Sequence, residues 1–374
     1  MWRQFQFHSS IFFPILKQIC SLKDKPVLNQ KIFNIFFYII CIMKYTILDE
    51  ILEQPDVLKK TIDSELKLMD DISELVKNAD KIYLIGSGSS ISSCYSVMDA
   101  MKIYSALNVQ SYLGYEFSYD KKLINNENSI AIFASQSGET EDTIAALKKA
   151  KEYNIKTVAI CNEPESTIAK TADISVITRC GHEIGILGTK THLTQLFCQY
   201  YILFKALGHD EIIKELLTLP DILKDLIEKT HDDYKQLAKE YMDETMFYCL
   251  GAGPNYGLAY KTSMTIFMEG SNIDSCPLYS SEFRHGLIER VDENTSLIFL
   301  DANCDGDVIT KKSIKFCQSI NANCIILNLD DFADVDKILA PFILLIPLEW
   351  FGCYLAHYKN IDPGVARHIG ILPY

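Results

Sequence analysis

The segment Ser135-Gln136-Ser137-Gly138-Glu139-Thr140 gathers three hydroxyls and one side-chain amide, with no lysine or arginine among them. One N-cap hydroxyl is enough to start a helix. A cluster of them beside the free N–H groups of a helix start can form an uncharged cradle for a phosphate. Gly86-Ser-Gly-Ser-Ser90 is a second small-residue turn. Its glycines let backbone approach a ligand, and Ser89 and Ser90 add donors, although such a turn also serves simply to turn the chain. Further on, Glu269 closes the apolar stretch Leu258–Met268, and His285 sits in Glu282-Phe-Arg-His-Gly286. A carboxylate and an imidazole beside one phosphosugar could open its ring and move a proton between C1 and C2. On spacing alone, Glu269 fits a solvated helix face equally, and His285 an ordinary loop histidine.

These groups need elements to hold them. Lys81–Gly86, Val109–Gly114, Ser129–Ser135 and Thr157–Asn162 are short apolar runs separated by helical patterns such as Thr140–Tyr153. That alternation predicts a doubly wound parallel sheet, with both polar turns between a strand and a helix. Leu48–Val76 predicts one or two helices, Thr189–Leu207 a helix closing the first domain, and Asp210–Glu240 a helical linker. The second half repeats the first. Gly86-Ser-Gly88 returns as Gly251-Ala-Gly253, Glu116-Phe117 as Glu282-Phe283, and Thr157–Asn162 as Asn323–Asn328, at offsets of 165, 166 and 166. Three landmarks at nearly one offset imply two copies of one α/β domain with a cleft between them. The counterpart of the hydroxyl motif, Ala302-Asn-Cys-Asp305, has lost the hydroxyls and gained a negative charge. One phosphate site per chain is therefore expected, in the first copy.

Composition narrows the function classes. With 374 residues and 48% apolar content, two domains with sizeable cores are expected rather than disorder. A net charge of −13 argues against a nucleic-acid partner, which needs a basic surface. Twelve scattered cysteines show no CxxC pair and no Cys/His spacing for zinc, so they read as reduced core residues in a cytoplasmic protein that holds no metal. The apolar run Ile32–Met43 is too short to span a membrane and precedes no small-residue cleavage site. Residues 1–42 read as an extension, with the working protein starting at Met43.

At this point the chain resembles the sugar isomerase (SIS) domain family. It looks most like the isomerase half of glucosamine-6-phosphate synthase and its stand-alone deaminase and deglycase relatives. The resemblance covers about Lys44 to Tyr374. It rests on Ser135–Thr140, on Glu183-Ile-Gly-Ile-Leu-Gly-Thr-Lys190 with Thr194-Gln-Leu196, and on Glu282–Gly286. It implies a fold of two duplicated SIS domains, each a flavodoxin-like three-layer α/β sandwich. The expected layout is a helical lead-in at 43–78, domains at 79–210 and 240–355, and a tail at 356–374 over the active site. The resemblance places substrate phosphate on Ser135, Gln136, Ser137 and Thr140, with Ser90. It makes Glu269, sixteen residues before His285, the isomerising base. It also makes His285 a ring-opening group that reaches the neighbouring subunit's site, hence a homodimer.

Two departures shape the expected activity. No nucleophilic cysteine follows Met1 or Met43, and there is no room for a glutaminase domain. The family's tail lysine falls on His368, five residues past Pro363, and its helix lysine three residues before the base falls on Ile266. Loss of both points away from an imine-forming synthase. The expected reaction is glucosamine 6-phosphate to fructose 6-phosphate and ammonia, without cofactor or metal. A deglycase acting on a glycated amino acid 6-phosphate is the alternative, followed by a plain isomerase. A non-catalytic phosphosugar-binding regulator would need the hydroxyl motif but neither Glu269 nor His285.

Overall fold

The computed structural model describes residues 46–120, 128–183, 185–304, 306–368 and 371, so the segment 1–42 lies outside the described residues. Helix α1 (Thr46–Lys77) is a single 32-residue helix. Ile47, Ile51, Leu58, Ile62, Met69, Ile72 and Val76 recur at helical spacing and are buried, which seats one stripe of α1 on the core. Asp49 in its first turn and Lys77 in its last complement the helix dipole.

Five parallel strands follow: β1 (Lys81–Gly86), β2 (Val109–Leu113), β3 (Ser129–Ser135), β4 (Lys156–Cys161) and β5 (Ile174–Ile177). Their order is β2-β1-β3-β4-β5. Helices α2 (Ser89–Tyr104), α3 (Gly114–Tyr119), α4 (Glu141–Glu152) and α5 (Thr167–Thr171) alternate with them. Successive side chains of a strand leave opposite faces. Ile82 and Leu84 of β1 therefore join one core, while Tyr83 and Ile85 join another. Helices cover both faces, which is the doubly wound arrangement.

Helix α6 (Lys190–Leu207) and helix α7 (Asp210–Glu240) lead to the second sheet. It contains β6 (Met246–Gly251), β7 (Asp274–Tyr279), β8 (Ser296–Asp301) and β9 (Asn323–Asn328), all parallel, in the order β7-β6-β8-β9. Helix α8 (Asn255–Lys261) runs directly into a π-helix, Thr262–Ser271. Helices α9 (Asp307–Ser319), α10 (Ala340–Ile343) and α11 (Leu345–Tyr358) complete this half. Helix α7 is more than the linker its sequence implies. It buries Ile212, Leu216, Leu219, Leu223 and Leu226, and its His231 ring meets Trp350 of α11 at 4.9 Å. The run 337–358 is long and apolar enough to cross a membrane, and its apolar 18-residue stretch is buried inside the protein, as in a core helix.

Helices α2 and α8 hold equivalent places in the two halves and cross in contact. A Cβ on Gly257 would stand 2.2 Å from Ser96 Oγ and 2.4 Å from the Ser92 carbonyl, so only glycine lets the two backbones meet. Ser96 Oγ donates to the Pro254 carbonyl at 2.7 Å, and the Tyr279 hydroxyl donates to Asp99. A single apolar cluster joins Ile82, Ile132 and Val158 of the first half to Phe247, Ile298 and Leu327 of the second.

Candidate functional site

In each sheet the strand order reverses beside the first strand, between β1 and β3 and between β6 and β8. Open α/β sheets bind ligands at the carboxyl ends of the strands at such a point. Both polar turns of the first half lie there, because β1 and β3 pair directly. Ser135 is buried, while Gln136, Ser137 and Thr140 are half-buried. Ser135 Oγ accepts from Gly138 N at 3.1 Å and lies 3.2 Å from Thr140 Oγ1. Ser137 Oγ accepts from Glu139 N at 3.1 Å. The loop is braced from α5: the Glu139 carboxylate accepts from Thr167 N at 2.7 Å and Thr167 Oγ1 at 2.8 Å. On the other turn Ser89 is half-buried and Ser90 buried. The Ser89 carbonyl lies 3.0 Å from His192 Nδ1. A carbonyl only accepts, so Nδ1 carries the hydrogen. Burial pushes His192 down to about 3, so its ring is neutral.

The loop 181–189 connects this turn to the second half. Two buried carboxylates pin it. Glu183 accepts from Thr189 Oγ1 at 3.1 Å, from Thr191 N at 3.3 Å and from Thr191 Oγ1. Glu50 of α1 accepts from Gly185 N at 2.9 Å and Thr189 Oγ1 at 3.3 Å. The pinned loop lies directly on Ser89: a Cβ at Gly188, where φ is +63°, would stand 2.7 Å from Ser89 Oγ. On its other side a Cβ at Gly270 would stand 2.9 Å from Leu187 Cδ2. The residue before Gly270 is Glu269. Leu187 and Gly188 thus bridge the hydroxyl-bearing turn of the first half to the carboxylate-bearing helix of the second.

Glu269 lies in the π-helix, whose backbone bonds span five residues instead of the α-helical four. The residue is half-buried, and burial pushes its carboxyl up to about 7, against the opposing charge of Lys261. A carboxyl that titrates near neutrality can take up and return a proton under ordinary conditions.

Comparison with known proteins places this geometry in a family. Residues 75–204 match the family described as SIS domain. The chain is 32% identical over 356 residues to glutamine–fructose-6-phosphate aminotransferase (isomerizing) of Clostridium acetobutylicum, covering 87% of this chain and 58% of that protein's length. It is 28% identical over 306 residues to fructoselysine 6-phosphate deglycase of Escherichia coli, covering 80% of this chain and 88% of that protein. The crystal structure of a glucosamine-6-phosphate deaminase from Thermotoga maritima superposes with a TM-score of 0.72 at 21% identity, over 86% of this chain and 98% of that one. At that identity the structural likeness speaks to the fold alone. These curated relatives are named as sugar-phosphate enzymes, and the chain spans less than two thirds of the aminotransferases' length.

Two other sequence-selected residues lie apart from this bridge. His285 ends a 3-10 turn, Ser280–His285, in which Phe283 is buried while Arg284 and His285 are exposed. His368 is exposed beyond α11, its carbonyl accepting from Ile371 N at 3.1 Å. Among the described residues no hydrogen bond joins either histidine to the SIS domain's hydroxyl turn. Sequence reasoning missed Lys261. Its ammonium is fully buried and donates to the Leu187 carbonyl and, at 2.9 Å, to the Gly188 carbonyl. The signal was available: a lysine inside the apolar run Leu258–Met268 is as anomalous as the glutamate that follows that run.

Proposed function

We propose that the protein is an amino-sugar phosphate isomerase-deaminase that converts glucosamine 6-phosphate and water to fructose 6-phosphate and ammonia. The observation that carries this reading is Glu269, a half-buried carboxylate titrating near neutrality, held through Leu187 and Gly188 against the turn that carries Ser89. A binding regulator has no use for such a base.

In this reading Ser135, Gln136, Ser137 and Thr140 hold the phosphate, with Ser89 and Ser90 donating from the adjoining turn. His285 assists ring opening, and the open-chain aldehyde presents C2 to Glu269. The carboxylate takes the C2 proton, leaving an enaminol between C1 and C2. Returning a proton to C1 produces the C2 imine. Water adds to that carbon, ammonia leaves, and the ketone of fructose 6-phosphate remains. Fixed donors around the enaminol oxygen stabilise the charge that develops there. His285 is exposed on its own subunit and acts at the site of a second copy, so the working form is a homodimer. His368 lies in the tail that covers the substrate.

A second reading has its own support. The chain spans 88% of the fructoselysine 6-phosphate deglycase but 58% of the aminotransferase. On a fructosamine 6-phosphate the same base would take a proton from C1 and return it to C2. The resulting aldimine hydrolyses to glucose 6-phosphate and the free amine.

The deciding experiment offers purified protein glucosamine 6-phosphate and fructoselysine 6-phosphate in parallel. Ammonia, lysine and both hexose phosphates are measured, with Glu269→Gln as control. Ammonia with fructose 6-phosphate supports the first reading, and lysine with glucose 6-phosphate the second. Binding without turnover of either would return the protein to the regulator class.

A further inference from the structure

Lys261 is 0% exposed, and burying an ammonium is unfavourable unless its charge and its N–H groups find partners. Two N–H groups go to the Leu187 and Gly188 carbonyls. Burial pushes the Lys261 ammonium toward losing its proton, and the carboxylates of Glu349 in α11, Glu183 in the loop and Glu269 in the adjoining π-helix oppose that. Glu349 is tied to α1 by Gln54 Nε2, which donates to it, and it also feels Glu50. Neutral His192 of α6 faces the same ammonium. Burial raises Glu349 to about 7 and Lys261's charge opposes that rise, as it does at Glu269. One buried cation thus serves two carboxyls of the same set, while Glu183 is occupied with its threonines.

We propose that Lys261 is a positioning residue for the proton transfer: it clamps the Leu187–Gly188 bridge of the first half onto the base-bearing helix of the second. The clamp acts at both ends of the site. It holds Gly188 against Ser89, beneath the phosphate turn, and Leu187 against Gly270, beside the base. Lys261 itself needs no contact with substrate. The family's expected helix lysine lies three residues before the base, at Ile266 here, so this residue occupies a different turn of the helix.

The inference rests on the reading of Glu269 as the base, and the experiment separates the two. Turnover is measured against pH for the wild type, Glu269→Gln, Lys261→Met and Lys261→Gln, with thermal midpoints for each. Near-complete loss in Glu269→Gln establishes the base; undiminished turnover there overturns that reading whatever Lys261 does. With the base established, Lys261→Met is expected to lower kcat and to raise KM for the sugar phosphate severalfold as the bridge loosens. Lys261→Gln keeps N–H donors for the carbonyls, so it should show less change in both. Unchanged kcat and KM in folded Lys261→Met overturn the proposal. Failure of both variants to fold would also overturn it, leaving Lys261 a structural residue alone.

Discussion

At the first switch point, Ser135 and Thr140 lie 3.2 Å apart at the start of α4, with half-buried Gln136 and Ser137 beside them. At the second, Asp307 of α9 has filled the corresponding place. Its carboxylate accepts from Ala302 N at 3.0 Å, Cys304 N at 3.2 Å and Thr310 Oγ1 at 3.0 Å. The backbone is the same device in both halves, a strand end feeding a helix start. In one half serine hydroxyls accept from the backbone, Ser135 Oγ from Gly138 N and Ser137 Oγ from Glu139 N; in the other the chain's own carboxylate accepts. A cavity of about 840 Å³ opens beside Ala252, Asn255, Ala302 and Cys304.

The sharpest way to break this comparison is to remove Glu269, the base proposed for the site. Glu269→Gln should lower kcat by about 10²- to 10⁴-fold, while calorimetric binding of glucosamine 6-phosphate persists. Next in size is the cradle. Replacing Ser135 and Thr140 together by alanine should weaken that binding roughly 10- to 100-fold, the loss expected for hydrogen bonds to a charged group. The matching change in the other half, Asp307→Ala, should leave binding untouched. It should lower stability to urea by about 1–3 kcal/mol, because the buried Ala302 N–H and the half-buried Cys304 N–H lose their acceptor. If Asp307→Ala instead weakened binding as much as the serine pair, the two switch points would not differ as described.

A pH series sharpens the same contrast. Glu269 must be ionised to act as base, so activity should rise through about pH 7. Stability should move the other way. The native carboxyl holds its proton more tightly than the unfolded chain, whose glutamates titrate near ~4.3. Its contribution to stability is therefore complete below that pH and is lost as pH climbs to about 7. Glu349, also raised to about 7, adds a slope of the same sign. Urea midpoints between pH 4 and 8 check this, and Glu269→Gln should flatten part of the slope. The smallest effect concerns subunits. Coexpressed Glu269→Gln and His285→Ala chains should recover roughly a quarter of wild-type activity if each site draws on two copies, and none if His285 serves its own chain.

Much of the architecture was legible because the strands are continuous apolar runs and the landmarks recur at one offset. Ile82–Ile85 and Ile130–Ala134 could only be buried strands, and Gly251 announced the second copy of Gly86. The hydroxyl motif was equally plain, since six neighbouring residues carry it. What stayed hidden depends on contacts distant in sequence. That Gly188 lies on Ser89, or that Lys261 reaches back to the Leu187 carbonyl, has no local signature. The π-helical turn beneath Glu269 is also invisible to a 3.6-residue period. Asp210–Glu240 read as a linker because its charged face dominates, yet its leucines line the core.

The crossing at Gly257 sets how this molecule comes apart. Two domains made by duplication could each melt alone if a polar seam divided them. Here backbone touches backbone, and the same apolar cluster contains residues from both sheets. Opening either half would strip that cluster for the other. Heat or denaturant should therefore meet one cooperative unit, and a fragment carrying only the first sheet should be unable to hold its structure in solution.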